Sequence, residues 1–329
     1  MQSRAWMCTE LAPDLSGLQL VSRELPAPAA GEVGVRVRAA ALNFPDLLMA
    51  EGRYQHKLPL PFVAGMECAG EVDAVGEGVG PYRVGDRVCF SGHGGAFTER
   101  LVARAATLRP LPPGMDFAQG AAYGVAALTA WVALVRRAAL QRGETLLVHG
   151  ASGGTGLAAV QLGCFLGARV IATGSSAAKL EAARAAGAQH VMVVQPGARG
   201  LAAAVKDLSD DAGADVVFDP VGGDLFDASV HCIAWGGRLL VVGFAGGRIA
   251  TLPANLALIK GFSVIGVRAG EYGRRDPLRG EQNRRAVEAL AARGVFTPLI
   301  GARFPFEQAK EAYRALAGRG VPGKVVIEM

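Results

Sequence analysis

The chain has 329 residues, enough for two domains at roughly 100–200 residues each, and its 51% apolar against 19% charged residues argue for large buried cores and against wholesale disorder. Cations exceed anions by 5, only six of the 34 cationic residues are lysines, and no block of five like charges occurs. This argues against a nucleic-acid tail or a polybasic membrane patch and leaves room for anionic ligands.

From residue 1 to about 120 the chain reads as short β-rich runs such as Val33–Arg38, Glu71–Val75 and Arg87–Phe90. Turn signals at Pro26-Ala27-Pro28 and Val84-Gly85-Asp86 separate them, which predicts a barrel-like or sandwich-like β domain. Two longer apolar stretches, Phe117 to Val135 and Thr145 to Ala168, approach the length of a membrane span. The first is interrupted by Gln119, Gly120, Gly124 and Thr129, the second by His149 and a glycine cluster, so no membrane segment is expected. No apolar run precedes Glu10, so no signal peptide is expected either. The cysteines (Cys8, Cys68, Cys89, Cys164, Cys232) lie far apart without a CxxC pair, as core thiols in a reducing compartment do; a cytoplasmic location is expected.

From Thr145 the rhythm changes to apolar strands alternating with Ala-rich helices. Strands are predicted at Thr145–His149, Val170–Thr173, Val191–Val194, Ala214–Phe218, Arg238–Val242 and Phe262–Val267. Helices are predicted at Leu157–Leu166, Ala177–Ala186, Leu201–Leu208 and near Leu225–Cys232 and Asn255–Lys260. Strands that are apolar throughout belong in a parallel sheet covered on both faces, here a doubly wound one. The tail holds predicted helices at Asn283–Arg293 and Glu307–Ala317 and a strand at Lys324–Glu328, with no further βαβ unit. The expected α/β organisation is therefore a β-rich domain over 1–124, a nucleotide-binding domain over 125–263, and a return of 264–329 to the first domain.

The strongest local signal is Gly150-Ala151-Ser152-Gly153-Gly154-Thr155-Gly156, between a predicted strand and a predicted helix. Read as a dinucleotide fingerprint, Ala151 replaces the first glycine, while Gly153 and Gly156 take the places that admit the pyrophosphate and pack helix on sheet. Unpaired amides at the helix start hold phosphate charge. An NAD site places an acid after the second strand, on the ribose hydroxyls. Here the chain reads Ala172-Thr173-Gly174-Ser175-Ser176-Ala177-Ala178-Lys179, with no acid before Glu181. Two hydroxyls and a lysine suit a 2′-phosphate, so NADPH is the expected cofactor; on a bland reading Ser176 is an ordinary helix cap and Lys179 a solvated residue.

Several stretches together resemble the zinc-free quinone oxidoreductase branch of the medium-chain dehydrogenase/reductase superfamily. They are Ala41-Leu42-Asn43-Phe44-Pro45-Asp46, Gly52-Arg53-Tyr54, Pro61 to Glu67, Val84 to Val88, the glycine loop, Val221 to Asp224, Val241 to Gly247, Pro253 to Leu256 and Gly323-Lys324-Val325. The resemblance covers essentially the whole chain and implies a GroES-like β-rich catalytic domain, a Rossmann NADP-binding domain and a homodimer. It places Asn43 and Tyr54 beside the nicotinamide and the substrate, as the catalytic candidates. Thr129, following the helix that enters the nucleotide domain, Ser152, Gly153, Gly154, Thr155, Gly174, Ser175 and Ser176 become cofactor contacts. Lys179 and Arg319 would touch phosphate. Val242–Phe244, with Gly243 and Phe244, and Gly266–Arg268, with Val267, would face the nicotinamide. A tyrosine that assists at the 2′-phosphate in one relative aligns with Val194, and another of the substrate pocket with Leu48.

Zinc-dependent relatives carry a ligating Cys where this chain has Asn43 and a ligating His where it has Met66; amide and thioether are poor zinc ligands, and no metal is expected. The five histidines show no HExxH or paired spacing, and without a GxSxG elbow His93 does not point to a hydrolase. The expected reaction is hydride transfer from NADPH to a quinone or other α,β-unsaturated carbonyl compound. An enoyl-thioester or enal reductase, and a non-catalytic NADPH-binding protein, stay open as alternatives.

Overall fold

The computed structural model describes residues 1–329. They form two units, Met1–Val125 with Pro298–Met329, and Ala126–Thr297.

In the first unit the main sheet runs in the order Ile300–Pro305, Lys324–Glu328, Glu32–Ala41, Glu67–Val75, Arg87–Ser91, Leu108–Pro110, with Arg100–Arg104 also on Glu32–Ala41. The strand Glu32–Ala41 serves two partners along its length: its start pairs with Arg100–Arg104 and its end with Lys324–Glu328. A smaller sheet joins Leu18–Glu24, Gln2–Cys8 and Phe62–Val63. Alternating Val33, Val35 and Val37 feed the core, where Phe97 and Tyr313 meet edge to face at 5.9 Å. Gly65 has φ +89° and its α-carbon is so close to the Phe97 ring that a β-carbon would lie 2.1 Å from it, so no other residue fits. A helix at Phe44–Ala50 escapes the sequence reading because seven residues are too few to show a helical period.

The second unit is the doubly wound sheet. Its strands lie in the order His190–Val193, Arg169–Gly174, Thr145–Val148, Ala214–Asp219, Ile233–Val241, Ser263–Gly266, every pair parallel. In chain order this is 3-2-1-4-5-6, which puts the switch point between Thr145–Val148 and Ala214–Asp219.

Two expectations need correction. The chain returns to the first unit at Pro298, not near 264. Ser263–Gly266 is paired with Ile233–Val241, and in the helix Pro277–Ala292 the buried Asn283 accepts hydrogen bonds from Trp131 Nε1 (3.2 Å) and Arg136 Nε (2.7 Å). Gln161 in turn bonds both backbone groups of Thr297. These ties hold 264–297 to the nucleotide-binding unit. Thr129, half-buried, lies inside the helix Phe117–Trp131 and not after it, because that helix runs on through a π turn to Arg137. This helix is long and apolar enough to cross a membrane by length and composition, and 61% of its apolar window is buried in the protein.

Candidate functional site

The glycine loop sits at the carboxyl end of Thr145–Val148, beside the switch point. Gly150 takes φ +57°, and a β-carbon there would come 3.1 Å from Val221 on the loop after Ala214–Asp219. At Gly156 a β-carbon would lie 2.3 Å from the Gly150 carbonyl oxygen, so only glycine lets the first turn of the helix Gly154–Phe165 settle onto the strand end. The helix starts on Gly153 without a side-chain cap. Its first-turn amides, at Gly154, Thr155 and Gly156, therefore have no intrahelical partner by construction and are available to a phosphate at the positive end of the helix. The loop fits a dinucleotide pyrophosphate, with half-buried Ser152 on the same turn.

The next strand ends at Gly174, whose carbonyl accepts the Val194 N–H at 2.9 Å. Val194 therefore stands beside the Gly174–Lys179 turn, where the resemblance aligned a tyrosine. Ser175 is exposed. Ser176 is the N-cap of the helix Ala177–Ala185 and accepts the Lys179 N–H at 3.4 Å, so its hydroxyl already has a structural task. Lys179 is half-buried in the first turn of that helix.

Across the switch point, buried Asp219 closes a turn: its Oδ1 accepts the N–H groups of Val221 and Gly222, both at 2.8 Å. That turn interlocks with the one after Ile233–Val241 through Ala245 N–H to the Pro220 carbonyl (3.0 Å) and Gly246 N–H to the Val221 carbonyl (2.8 Å). Gly243 and Phe244 lie on this second turn, Phe244 with its ring exposed. Val267 is buried and donates its N–H to the Val241 carbonyl at 2.9 Å. Beneath the loop, His149 is fully buried with Nδ1 2.8 Å from Thr173 Oγ1 and Nε2 2.7 Å from Ser229 Oγ. Burial holds its pKa below the ordinary histidine value, against the weaker pull of Asp219. It is a satisfied core histidine.

The first unit holds a polar cluster that the sequence reading found only at one corner. Asn43 is buried and caps the helix Phe44–Ala50; its backbone N–H goes to Asp46 Oδ2 at 2.8 Å. Its side-chain Nδ2 donates to Glu67 Oε1 (2.9 Å), while its Oδ1 accepts from Lys324 Nζ (2.7 Å). Lys324 also donates to Glu67 Oε1 at 2.7 Å, and the Val125 backbone N–H takes Glu67 Oε2 at 2.9 Å. Burial pushes the Asp46 carboxyl up to about 7, with the Asn43 N–H and the Lys324 charge opposing and Glu67 adding to it. In the sequence Glu67 and Lys324 stand inside the resemblance stretches Pro61 to Glu67 and Gly323-Lys324-Val325, each a charge at the head of an apolar strand, and the sequence reading assigns a role to neither. This donor set does not fit a zinc ion: the Asn43 oxygen and the Glu67 carboxylate already face an ammonium, and the neighbouring Met66 offers a buried thioether.

Tyr54 follows the same helix; its N–H and that of Arg53 both donate to the Leu48 carbonyl (3.0 and 2.7 Å). With Leu11, Met49, His56, Lys57, Leu58 and Phe62 it lines a small apolar pocket. His56 and His93, unpaired in sequence spacing, come together with ring centroids 4.7 Å apart. Arg319 belongs to the first unit, exposed in the left-handed region (φ 53°) just past the helix Ala309–Ala317.

Residues 29–113 match the family model of the alcohol dehydrogenase GroES-like domain, and 154–296 that of the zinc-binding dehydrogenases. Across 98% of this chain and 88% of its own length, the quinone oxidoreductase-like protein 2 homolog of Nematostella vectensis is 37% identical. The chain belongs to the medium-chain dehydrogenase/reductase superfamily. As a member of that superfamily it is an oxidoreductase with a nucleotide-binding domain for a nicotinamide cofactor. Among solved structures, mycobacterial Rv1454c complexed with NADPH superposes with a TM-score of 0.89 at 30% identity, covering 99% of this chain and 100% of that one. The CurK enoyl reductase superposes with a TM-score of 0.87 at 26% identity, over 99% of each chain.

Proposed function

We propose that the protein is a zinc-independent reductase that takes hydride from NADPH and delivers it to a quinone or another α,β-unsaturated carbonyl compound. The observation that carries this reading is the Asn43 amide, held between a carboxylate and an ammonium where zinc-dependent members hold metal. Without a Lewis acid to polarise an alcohol or a simple carbonyl, the acceptor has to be electrophilic by itself, as quinones and enones are. The quinone oxidoreductase-like relative and the NADPH-bound neighbour support the same reading.

When bound, NADPH supplies the hydride from its nicotinamide ring. Around it the chain's own groups bind and orient. The first-turn amides of Gly154 and Thr155 and the Ser152 hydroxyl hold the pyrophosphate, and Ser175 with Lys179 meets the 2′-phosphate. Gly174, Ser176, Gly243, Phe244, Val267, Thr129 and Arg319 complete the cofactor contacts. Asn43 donates a hydrogen bond to a reactant oxygen, and Tyr54, on its apolar pocket, receives the acceptor.

A homodimer is part of the proposal. Ser263–Gly266 is the edge of the doubly wound sheet, and Trp235 (80% exposed), Leu258 (80%), Ile259 (66%) and Val264 (41%) lie on the strand itself, its neighbouring strand and the helix before it. An uncharged edge with such apolar neighbours is stable when a second copy continues the sheet.

The test is a spectrophotometric panel of quinones, enals and enoyl thioesters with NADPH and with NADH, before and after dialysis against a chelator. Turnover of quinones or enals, undiminished by the chelator, is expected. Turnover confined to enoyl thioesters moves the protein to the reading that the CurK neighbour favours. NADPH binding with no turnover of any class makes it a non-catalytic binder.

A further inference from the structure

We infer that Lys324 and Glu67 are positioning residues which orient and polarise the Asn43 side-chain amide, so that its second Nδ2–H is the donor offered to the bound reactants. The inference rests on the reading above only for what Asn43 finally touches.

The orientation follows from donor and acceptor chemistry. An ionised carboxylate only accepts and an ammonium only donates, whereas the two ends of an Asn side chain do one each. Glu67 Oε1 at 2.9 Å therefore claims the NH₂ end, and Lys324 Nζ at 2.7 Å claims the carbonyl end. A flipped amide would set NH₂ against ammonium and carbonyl against carboxylate. The partners are fixed in turn: Lys324 bonds Glu67 directly at 2.7 Å, and Glu67 Oε2 is held by the Val125 N–H. The Asn43 backbone is pinned by Asp46 Oδ2. One hydrogen of Nδ2 is left over. An ammonium on the carbonyl oxygen draws charge from the amide and strengthens that remaining N–H as a donor.

The energetics favour an organising task over plain stability. A buried ion pair seldom outperforms apolar side chains of the same volume, because the desolvation of both charges offsets their attraction. Here the pair lies almost fully buried, with side chains 6% and 2% exposed, and three separate segments of the chain converge on one amide. Nothing in that arrangement is needed for the strand to pair.

A double-mutant cycle tests it, with 1,4-benzoquinone as acceptor probe and NADPH as donor. Lys324→Met is expected to lower kcat/KM by about ten- to hundredfold, the size of a lost charge-assisted bond. In an Asn43→Ala background the same change is expected to cost less than about twofold, because its effect passes through Asn43. Lys324→Arg, which keeps a donor, is expected to recover part of the loss. Activity is not the sole readout. The Asn43 side-chain NH₂ resonances, assigned by their loss in Asn43→Ala, are expected to be well dispersed in the wild type and to move to mobile-amide positions in Lys324→Met. Should Lys324→Met not fold, Glu67→Gln, which removes the charge and permits the flipped amide, is expected to shift the same resonances. Additive losses in the cycle, or Asn43 resonances indifferent to both substitutions, overturn the inference. If the wild type reduces no acceptor, the proposed function falls, and the resonances together with NADPH titrations still decide the positioning role.

Discussion

Asp46→Asn isolates one buried carboxyl whose cost can be worked from its surroundings. Asp46 is 1% exposed, its Oδ2 accepts the Asn43 N–H, and its Oδ1 has no hydrogen-bond partner. Burial raises its pKa from 3.8 to about 7. Between those values the folded protein keeps a proton that the unfolded chain has released, so stability falls as pH rises through this window and levels off above about 7. From pH 5 to pH 8 only the part of the rise below about 7 is spent, which is about 2–3 kcal/mol. Asparagine keeps an acceptor for the Asn43 N–H and cannot ionise. The variant does not share this fall, so its stability relative to wild type should rise by about 2–3 kcal/mol between pH 5 and pH 8. Urea unfolding at both pH values measures this. Trp6, buried with its Nε1–H donated to the Phe306 carbonyl at 2.7 Å, reports on the unit that contains Asp46. Wild-type and variant stabilities that stay a constant distance apart between pH 5 and 8 would refute the argument, since Asp46 would then not titrate in that range.

Lys179→Ala should raise the KM for NADPH about tenfold, the equivalent of one charge-assisted bond partly exposed to water, and leave that for NADH nearly unchanged; equal effects on both cofactors would reduce Lys179 to a solvated helix residue. Gly156→Ala should abolish NADPH binding in a fluorescence titration, because its β-carbon would lie 2.3 Å from the Gly150 carbonyl oxygen; binding within a few-fold of wild type would mean that the loop relaxes freely. Val264→Lys with Leu258→Asp puts charge on the sheet edge and the apolar helix before it, and should give a monomer by light scattering at micromolar concentration; an unchanged mass would place any dimer contact elsewhere.

What could be read from the sequence was what is local in it. The glycine loop needs neighbours within seven residues, and the βαβ rhythm from Thr145 onward is enough to mark six strands of a parallel, doubly wound sheet, though not their order. Residues 264–297 carry no such rhythm, and their place is decided by long-range ties such as Asn283 to Arg136, 147 residues apart. The polar cluster was beyond reach for the same reason. Asn43 meets Glu67 across 24 residues and Lys324 across 281, and no periodicity announces a lysine turned inward at the head of an apolar strand. His56 and His93 likewise become neighbours only through the fold.

The strand Lys324–Glu328 fits between Ile300–Pro305 and the end of Glu32–Ala41, and so joins a sheet whose other members, Ile300–Pro305 apart, are made long before it. During synthesis all of Ala126–Thr297 emerges, with every strand of its own sheet, while the end of Glu32–Ala41, at Ala39–Ala41, still waits for its partner. The nucleotide-binding unit can close first; the other unit cannot. Its last strand also brings the only ammonium that meets Glu67, so until then that carboxylate has to stay hydrated and the Asn43 amide can turn freely. A nascent chain can thus close its nucleotide-binding unit before it can order its polar cluster, which waits for Lys324 to emerge.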